Sequence, residues 1–336
     1  MTAHILVGAC SWADKTLVDS GWYPPEANSV EERLRYYAEQ FPIVEVDSTY
    51  YGLPSERNAA LWVERTPDDF TFDIKSYALF THHPAALRSL PKDLREALPP
   101  ALREKRPDGR PSGRNLYYRD TPPELRDELW SRFNSALLPL DSAGKLGTVL
   151  FQFPPWFLPG RDSTDYILEA NDRLGQYTMA VEFRNDRWLS ERNQERTLKL
   201  LTDNAIPLVC VDEPQGFRSS VPPLVVVTAP VALLRMHGRN YETWEKKGIA
   251  AAERFNYLYS EEELQEWTPR VQRLAEGSRE VHVLMNNCHH DYAVRNARQL
   301  AYRLGLPAGP CAPRRRHGAR APKQAARDTD AQRRLL

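Results

Sequence analysis

Glu45, Lys75, Glu182 and His237 are the residues of this sequence best suited to moving protons. Each closes, or nearly closes, a short apolar run. Acid–base catalysis needs two groups of well-separated proton affinity, which two carboxylates and an imidazole can supply. A lysine beside them can stabilise negative charge as it develops. If the carboxylates flank a glycosidic bond, their separation distinguishes retention from inversion. A second set is suited to holding a ligand: Ser11, Trp12, Gln152, Arg184, Asp212, Arg235, Arg239, Asn286 and Asn287. Guanidinium forks match phosphate or carboxylate with paired hydrogen bonds. The pattern points to a hydrolase, lyase or isomerase acting on a small anionic or sugar-like molecule.

Other chemistries stay open. His82, Glu182, Asp212 and His237 could form a mixed nitrogen and oxygen metal site, as in a metal-dependent phosphodiesterase or nuclease-like barrel. No H-x-H or H-E-x-x-H spacing strengthens that reading, and the sequence requires no metal or cofactor. Cys10, Cys210, Cys288 and Cys311 form no C-x-x-C pair, so reduced thiols in the cytoplasm are expected. Cys10 and Cys288 close the first and last strands and would be neighbours in a closed barrel. Trp12, Trp22, Tyr23, Tyr50, Tyr51 and Trp156 could stack on a sugar or base, or simply pack.

These residues need elements to position them, and the apolar periodicity supplies eight strands. They are expected at 5–10, 43–47, 70–75, 147–153, 178–183, 207–212, 231–237 and 280–286. Runs such as Val149-Leu150-Phe151 and Leu208-Val209-Cys210-Val211 read as strands buried on both faces, hence a parallel sheet under helices. Between them lie roughly eight helical segments. Ser29 with Glu32 and Ser260 with Glu263 have capping-box spacing, and Ser55 is a further N-cap. No G-x-G-x-x-G follows the first strand, so an open dinucleotide-binding sheet is disfavoured. The expected architecture is one (β/α)8 TIM barrel over residues 1–305, with catalytic groups at the C-terminal strand ends.

Two segments break the repeat. Residues 84–120, after the third strand, contain six prolines and nine Lys/Arg against five Asp/Glu; they read as a lid or a surface excursion. Residues 306–336 carry eight Lys/Arg against two Asp and read as a disordered basic tail. Such a tail could contact nucleic acid, the basis of a non-catalytic binding alternative. The whole chain has a formal net charge of zero, so any polyanionic partner would need a local basic patch. Neither a signal peptide nor a membrane-spanning run is expected.

Several motifs arrive together and in order: Gly8-Ala9-Cys10-Ser11-Trp12, Glu45-Val46-Asp47-Ser48-Thr49-Tyr50-Tyr51, Phe70-Thr71-Phe72-Asp73-Ile74-Lys75, Leu150-Phe151-Gln152-Phe153-Pro154-Pro155, Val181-Glu182-Phe183-Arg184, Arg235-Met236-His237-Gly238-Arg239-Asn240 and Asn286-Asn287. Over residues 4 to 304 they resemble the YecE-like family, also called the domain of unknown function seventy-two. The resemblance implies a TIM barrel and no established activity. One departure is visible: the family usually reads Glu-x-Asn-Ser-Thr-Phe-Tyr where this chain has Asp47 and Tyr50, an added carboxylate and an added hydroxyl.

Overall fold

The computed structural model describes residues 3–103 and 115–307. Eight parallel strands form its sheet: β1 (His4–Cys10), β2 (Ile43–Val46), β3 (Thr71–Lys75), β4 (Leu146–Gln152), β5 (Met179–Glu182), β6 (Val209–Asp212), β7 (Val231–Met236) and β8 (Glu280–Met285). The order around the sheet is β5-β4-β3-β2-β1-β8-β7-β6. A lone bridge, Val181 to Leu208, brings the two ends together. The expected TIM-barrel architecture is therefore present, with a lightly joined seam between β5 and β6.

The framework helices are α1 (Val30–Gln40), α2 (Glu56–Glu64), α3 (Pro123–Ser142), α4 (Arg161–Arg173), α5 (Gln194–Asp203), α6 (Glu261–Gly277) and α7 (Tyr292–Arg303). Both capping boxes form, and Ser55 caps α2 through the Asn58 N–H. Seven framework helices stand where about eight segments were expected, because residues 213–230, between β6 and β7, contain none. Pro214, Pro222 and Pro223 lack a backbone N–H, and Val225–Val227 are β-branched, so the segment is a poor helix. Thr228 anchors it instead: its hydroxyl donates to the Ile206 carbonyl (2.7 Å) and accepts from the Leu208 N–H (2.8 Å).

Paired residues in a parallel sheet share a face, so the register identifies the barrel interior. Cys10 pairs with Glu45 and Glu45 with Asp73. Gln152 pairs with Glu182, while Val211, Arg235, Leu284 and Gly8 form a continuous row. β1 and β2 run so close that a Cβ on Gly8 would collide with the Ile43 carbonyl. Tyr37 of α1 closes the gap below, its hydroxyl accepting from the Ala9 N–H (2.7 Å) and donating to Ile43 O (3.0 Å).

The lower interior is polar. Asp73 accepts from the Thr148 N–H (2.7 Å) and hydroxyl (3.0 Å). His282 bridges Asp73 (2.8 Å) and Glu280 (2.6 Å). Burial alone would lower the proton affinity of His282, but Asp73 and then Glu280 raise its pKa to about 10. A buried imidazolium thus forms part of the barrel floor.

The described parts of the 84–120 insertion lie against the wall. Ala85–Ala86 pairs antiparallel with Asn115–Leu116, and Leu90, Leu94, Leu98 and Leu116 are buried in the main core. Asp93 pairs with Arg132 of α3 (2.5 Å), and the Tyr118 hydroxyl accepts from Trp130 Nε1 (3.1 Å). Residues 104–114 lie outside the described residues, as does the basic tail from residue 308.

Candidate active site at the barrel mouth

Arg235 is the centre of the upper interior and is fully buried. Its Nε and Nη2 donate to the two oxygens of Glu45 (2.8 and 2.7 Å), and its Nη1 donates to Glu182 (2.6 Å). Nη2 also lies 3.7 Å from the Cys10 sulfur. The other Glu182 oxygen accepts from Gln152 Nε2 (2.6 Å) and contacts His237 Nε2 (3.1 Å). Asn286 Nδ2 lies 2.7 Å from His237 Nδ1. An amide donor at Nδ1 leaves the imidazole proton on Nε2, pointing at Glu182, so His237 is the neutral tautomer.

The two carboxylates on this one guanidinium are driven in opposite directions. Burial raises Glu45 to about 8; Arg235 opposes this and Asp47 reinforces it. For Glu182 burial acts upward too, but Arg235, His237 and Arg184 outweigh it and hold the carboxyl well below the usual range. Burial lowers His237 to about 4 despite Glu182. The floor therefore holds one persistent carboxylate, one carboxyl that keeps its proton near neutrality, and a neutral imidazole.

Above this floor two partly exposed cations face the opening. Lys75 lies 3.7 Å from Asp47 and 5.0 Å above the Tyr50 ring. Arg184 stacks 4.4 Å over Trp244, donates from Nε to Ser219 O (3.2 Å), and keeps Nη1 3.7 Å from Glu182. Glu213 stands 3.6 Å from Arg184 and is raised to about 8, first by burial, with Arg184 opposing and Glu182 reinforcing. One Glu213 oxygen and one Asp47 oxygen are buried without a hydrogen-bond partner. Such orphaned acceptors mark places where a ligand hydroxyl or water is wanted.

Glu45, Lys75, Gln152, Glu182, Arg184, Arg235, His237 and Asn286 thus converge as expected. The remaining candidates lie elsewhere. Arg239 is held by Asp212 (2.9 Å), Glu263 (3.2 Å) and Glu266 (3.2 Å), fastening β6 to α6 outside the barrel. Asn287 donates to Tyr257 O (2.9 Å) and to Asn296 on α7 (2.8 Å). Trp12 packs edge-on against Trp62 in the outer core. Ser11, at φ 70°, accepts from the Ala13 N–H and shapes the turn after β1. Arg235 was expected to grip an anion, but three carboxylate hydrogen bonds engage it. Alternation explains much of this: positions next to an inward residue face the helices.

The same alternation would have found two residues not selected from the sequence. Asp47 lies two positions beyond inward Glu45, and Glu213 two beyond inward Val211. His83 was also passed over, being on a turn with no period. The four residues suggested for a metal do not gather. Glu182 and His237 touch, but Asp212 belongs to Arg239, and His82 packs on Tyr118 and Tyr166. Among the described residues no group of three or more His, Cys, Asp or Glu could hold a metal ion.

With this geometry established, comparison with known proteins settles the family. The sequence matches the family described as "Protein of unknown function DUF72" across residues 6–321. The chain belongs to the DUF72 family. It is 31% identical over 315 residues to UPF0759 protein YunF of Bacillus subtilis, covering 92% of this chain and 98% of that protein. Against UPF0759 protein YecE of Escherichia coli K12 the identity is 24% over 259 residues, with 72% and 77% covered. A DUF72 protein from Enterococcus faecalis V583 superposes with a TM-score of 0.71 at 25% identity, covering 93% of this chain and all of that one. One from Thermotoga maritima MSB8 gives 0.68 at 29% identity, covering 90% and 99%. DUF72 membership agrees with the barrel and assigns no reaction. No helix among the described residues of this DUF72 chain is long and apolar enough to cross a membrane.

Proposed function

We propose that the barrel mouth binds a small anionic molecule, sugar phosphates included, and performs acid–base chemistry on it as a hydrolase, lyase or isomerase. One observation carries the reading. Lys75 at the end of β3 and Arg184 just beyond β5, with β4 between them, are partly exposed and approach carboxylates no closer than 3.6 Å, while Arg235 and Arg239 are hydrogen-bonded by carboxylates. With Glu45 and Glu213 keeping their protons near neutrality, the remaining charges are Glu182, Asp47, Arg235, Lys75 and Arg184. That balance is net positive, which suits an anion in a low-dielectric mouth. Glu45 is the proton reservoir, Asp47 connects it to the rim, and Glu182 fixes Arg235, Gln152 and His237. Separated proton affinities on neighbouring carboxyls are the usual basis of acid and base roles.

Thermal-shift screening with phosphorylated sugars, other small acids and neutral sugars tests this. Saturating anions should raise the melting temperature of the wild type, since about 2.7 kcal/mol accrues at a hundred times Kd. The Lys75→Ala, Arg184→Ala double variant should respond to none. A full response in that variant, or a response only to neutral sugars, would overturn the reading.

A further inference from the structure

His83 sits at the edge of this mouth with its ring held on three sides. A 3-10 turn (Ala78–Thr81) follows β3, and left-handed His82 (φ 60°) then redirects the chain. The His83 ring meets the Tyr50 ring edge-on at 5.4 Å and the Trp156 ring at 5.7 Å. Its Nδ1 lies 2.9 Å from the Thr81 hydroxyl, which also donates to the Ala78 carbonyl (3.0 Å). A hydroxyl has one hydrogen, and the carbonyl can only accept it. Nδ1 is therefore the protonated nitrogen, and Nε2 carries a lone pair. Among the described residues Nε2 has no hydrogen-bond partner.

We propose that the ligand's charged group is a doubly charged tetrahedral oxyanion bound across Lys75 and Arg184, and that its arrival draws a proton onto His83 Nε2, which then donates to it. The inference deepens the anion-binding reading and rests on it. The groups facing His83 are Lys75 at the end of β3, Arg184 beyond β5, His82 on its own turn and Tyr50 after β2, with Asp47 paired to Lys75; Trp156 contributes no charge. Burial first, then Lys75 and Arg184, then His82, lower His83 to about 3, so the empty site holds a neutral ring. A dianion between the two cations cancels the second and third of these influences and adds an acceptor. The proton comes from solvent, and no bond other than N–H forms or breaks.

Calorimetry of sulfate binding at pH 5, in two buffers of different ionisation heat, measures proton uptake directly. Sulfate does not titrate there, and Glu45 and Glu213 already hold their protons. The wild type should take up roughly half a proton per sulfate, by linkage between binding and ionisation. His83→Asn, whose amide can keep the Thr81 contact, should bind about twofold more weakly at pH 5, the affinity that half protonation of the bound ring adds, with no uptake. Sulfate binding without uptake, or uptake surviving in His83→Asn, would overturn the role of His83 and leave the anion reading standing. No sulfate binding at all would overturn both. Methyl phosphate binding more tightly than inorganic phosphate assigns the oxyanion to an ester; the reverse order assigns it to the free ion.

Discussion

Replacing Arg235 with Met removes the charge that holds Glu45 and Glu182 in the barrel core. Both carboxyls are fully buried, and Glu45 loses the hydrogen bonds to both of its oxygens. Glu45 already tends to keep its proton near neutrality, so it neutralises at small cost. Glu182 is the expensive group, because it is ionised in the wild type. Folding with it neutral costs about 1.4 kcal/mol per pH unit above its ordinary 4.5, hence about 3.4 kcal/mol at pH 7 and about 0.7 kcal/mol at pH 5. With three buried hydrogen bonds from Arg235 lost as well, the variant should be about 3–6 kcal/mol less stable at pH 7, at or just above the range for breaking a buried ion pair. In the wild type Glu182 is lowered, so its contribution is present above 4.5 and lost on acidification. In the variant its affinity is raised above 4.5, so stability is greatest below that value and declines as pH rises. The two stability curves should converge in acid. Urea denaturation at pH 5, 6, 7 and 8 measures this, and Glu45→Gln, Glu182→Gln, Arg235→Met together should recover most of the loss. A cost below about 1 kcal/mol at pH 7, or one independent of pH, would refute the ion-pair account.

The barrel floor makes a prediction of opposite slope. The raised pKa of His282 stabilises the fold fully below 6.5 and is lost as pH rises towards about 10. Wild-type urea midpoints should fall across that window, and Asp73→Asn should flatten the fall while costing about 2–4 kcal/mol at pH 7. Tyr37→Phe leaves the Ala9 N–H without its partner and should cost about 1–3 kcal/mol in the same assay. Gly8→Ala should be worse than either or fail to fold, since its Cβ meets the Ile43 backbone, which has no rotamer to yield; soluble expression and circular dichroism would show it.

The strands were legible because burial on both faces writes continuous apolar runs, and each begins and ends within two residues of where those runs place it. Capping boxes located α1 and α6 for the same local reason. The helix-free β6–β7 segment was harder to read because its valines and prolines also suit a strand edge. For the site, proximity to a strand end was a good guide and facing was not. Asp212 and Glu213 are adjacent in sequence, yet one fastens a helix and the other flanks Arg184. Nor does residue type alone reveal that an arginine is already occupied: Arg235 has the chemistry of an anion ligand, but its geometry is that of a core cross-link. His83 depends on a turn whose left-handed residue gives no periodic signal.

The single bridge between Val181 and Leu208 has a mechanical consequence. A barrel with uniform hydrogen bonding resists deformation equally all round, whereas this one is a rolled sheet held by a clasp. The clasp lies directly below Glu182 and Arg184 on one side and Asp212 and Glu213 on the other. Native-state opening should therefore begin there, with the Val181 amide exchanging its hydrogen faster than the well-paired amides of β1 and β8. Each such event would draw Arg184 away from Glu213 and pull on the contacts of Glu182 with Arg235 and His237, which cross the same seam. The mouth is thus closed by side-chain contacts across the seam more than by backbone hydrogen bonds, and Arg184 and Glu182 are the groups that move when it opens.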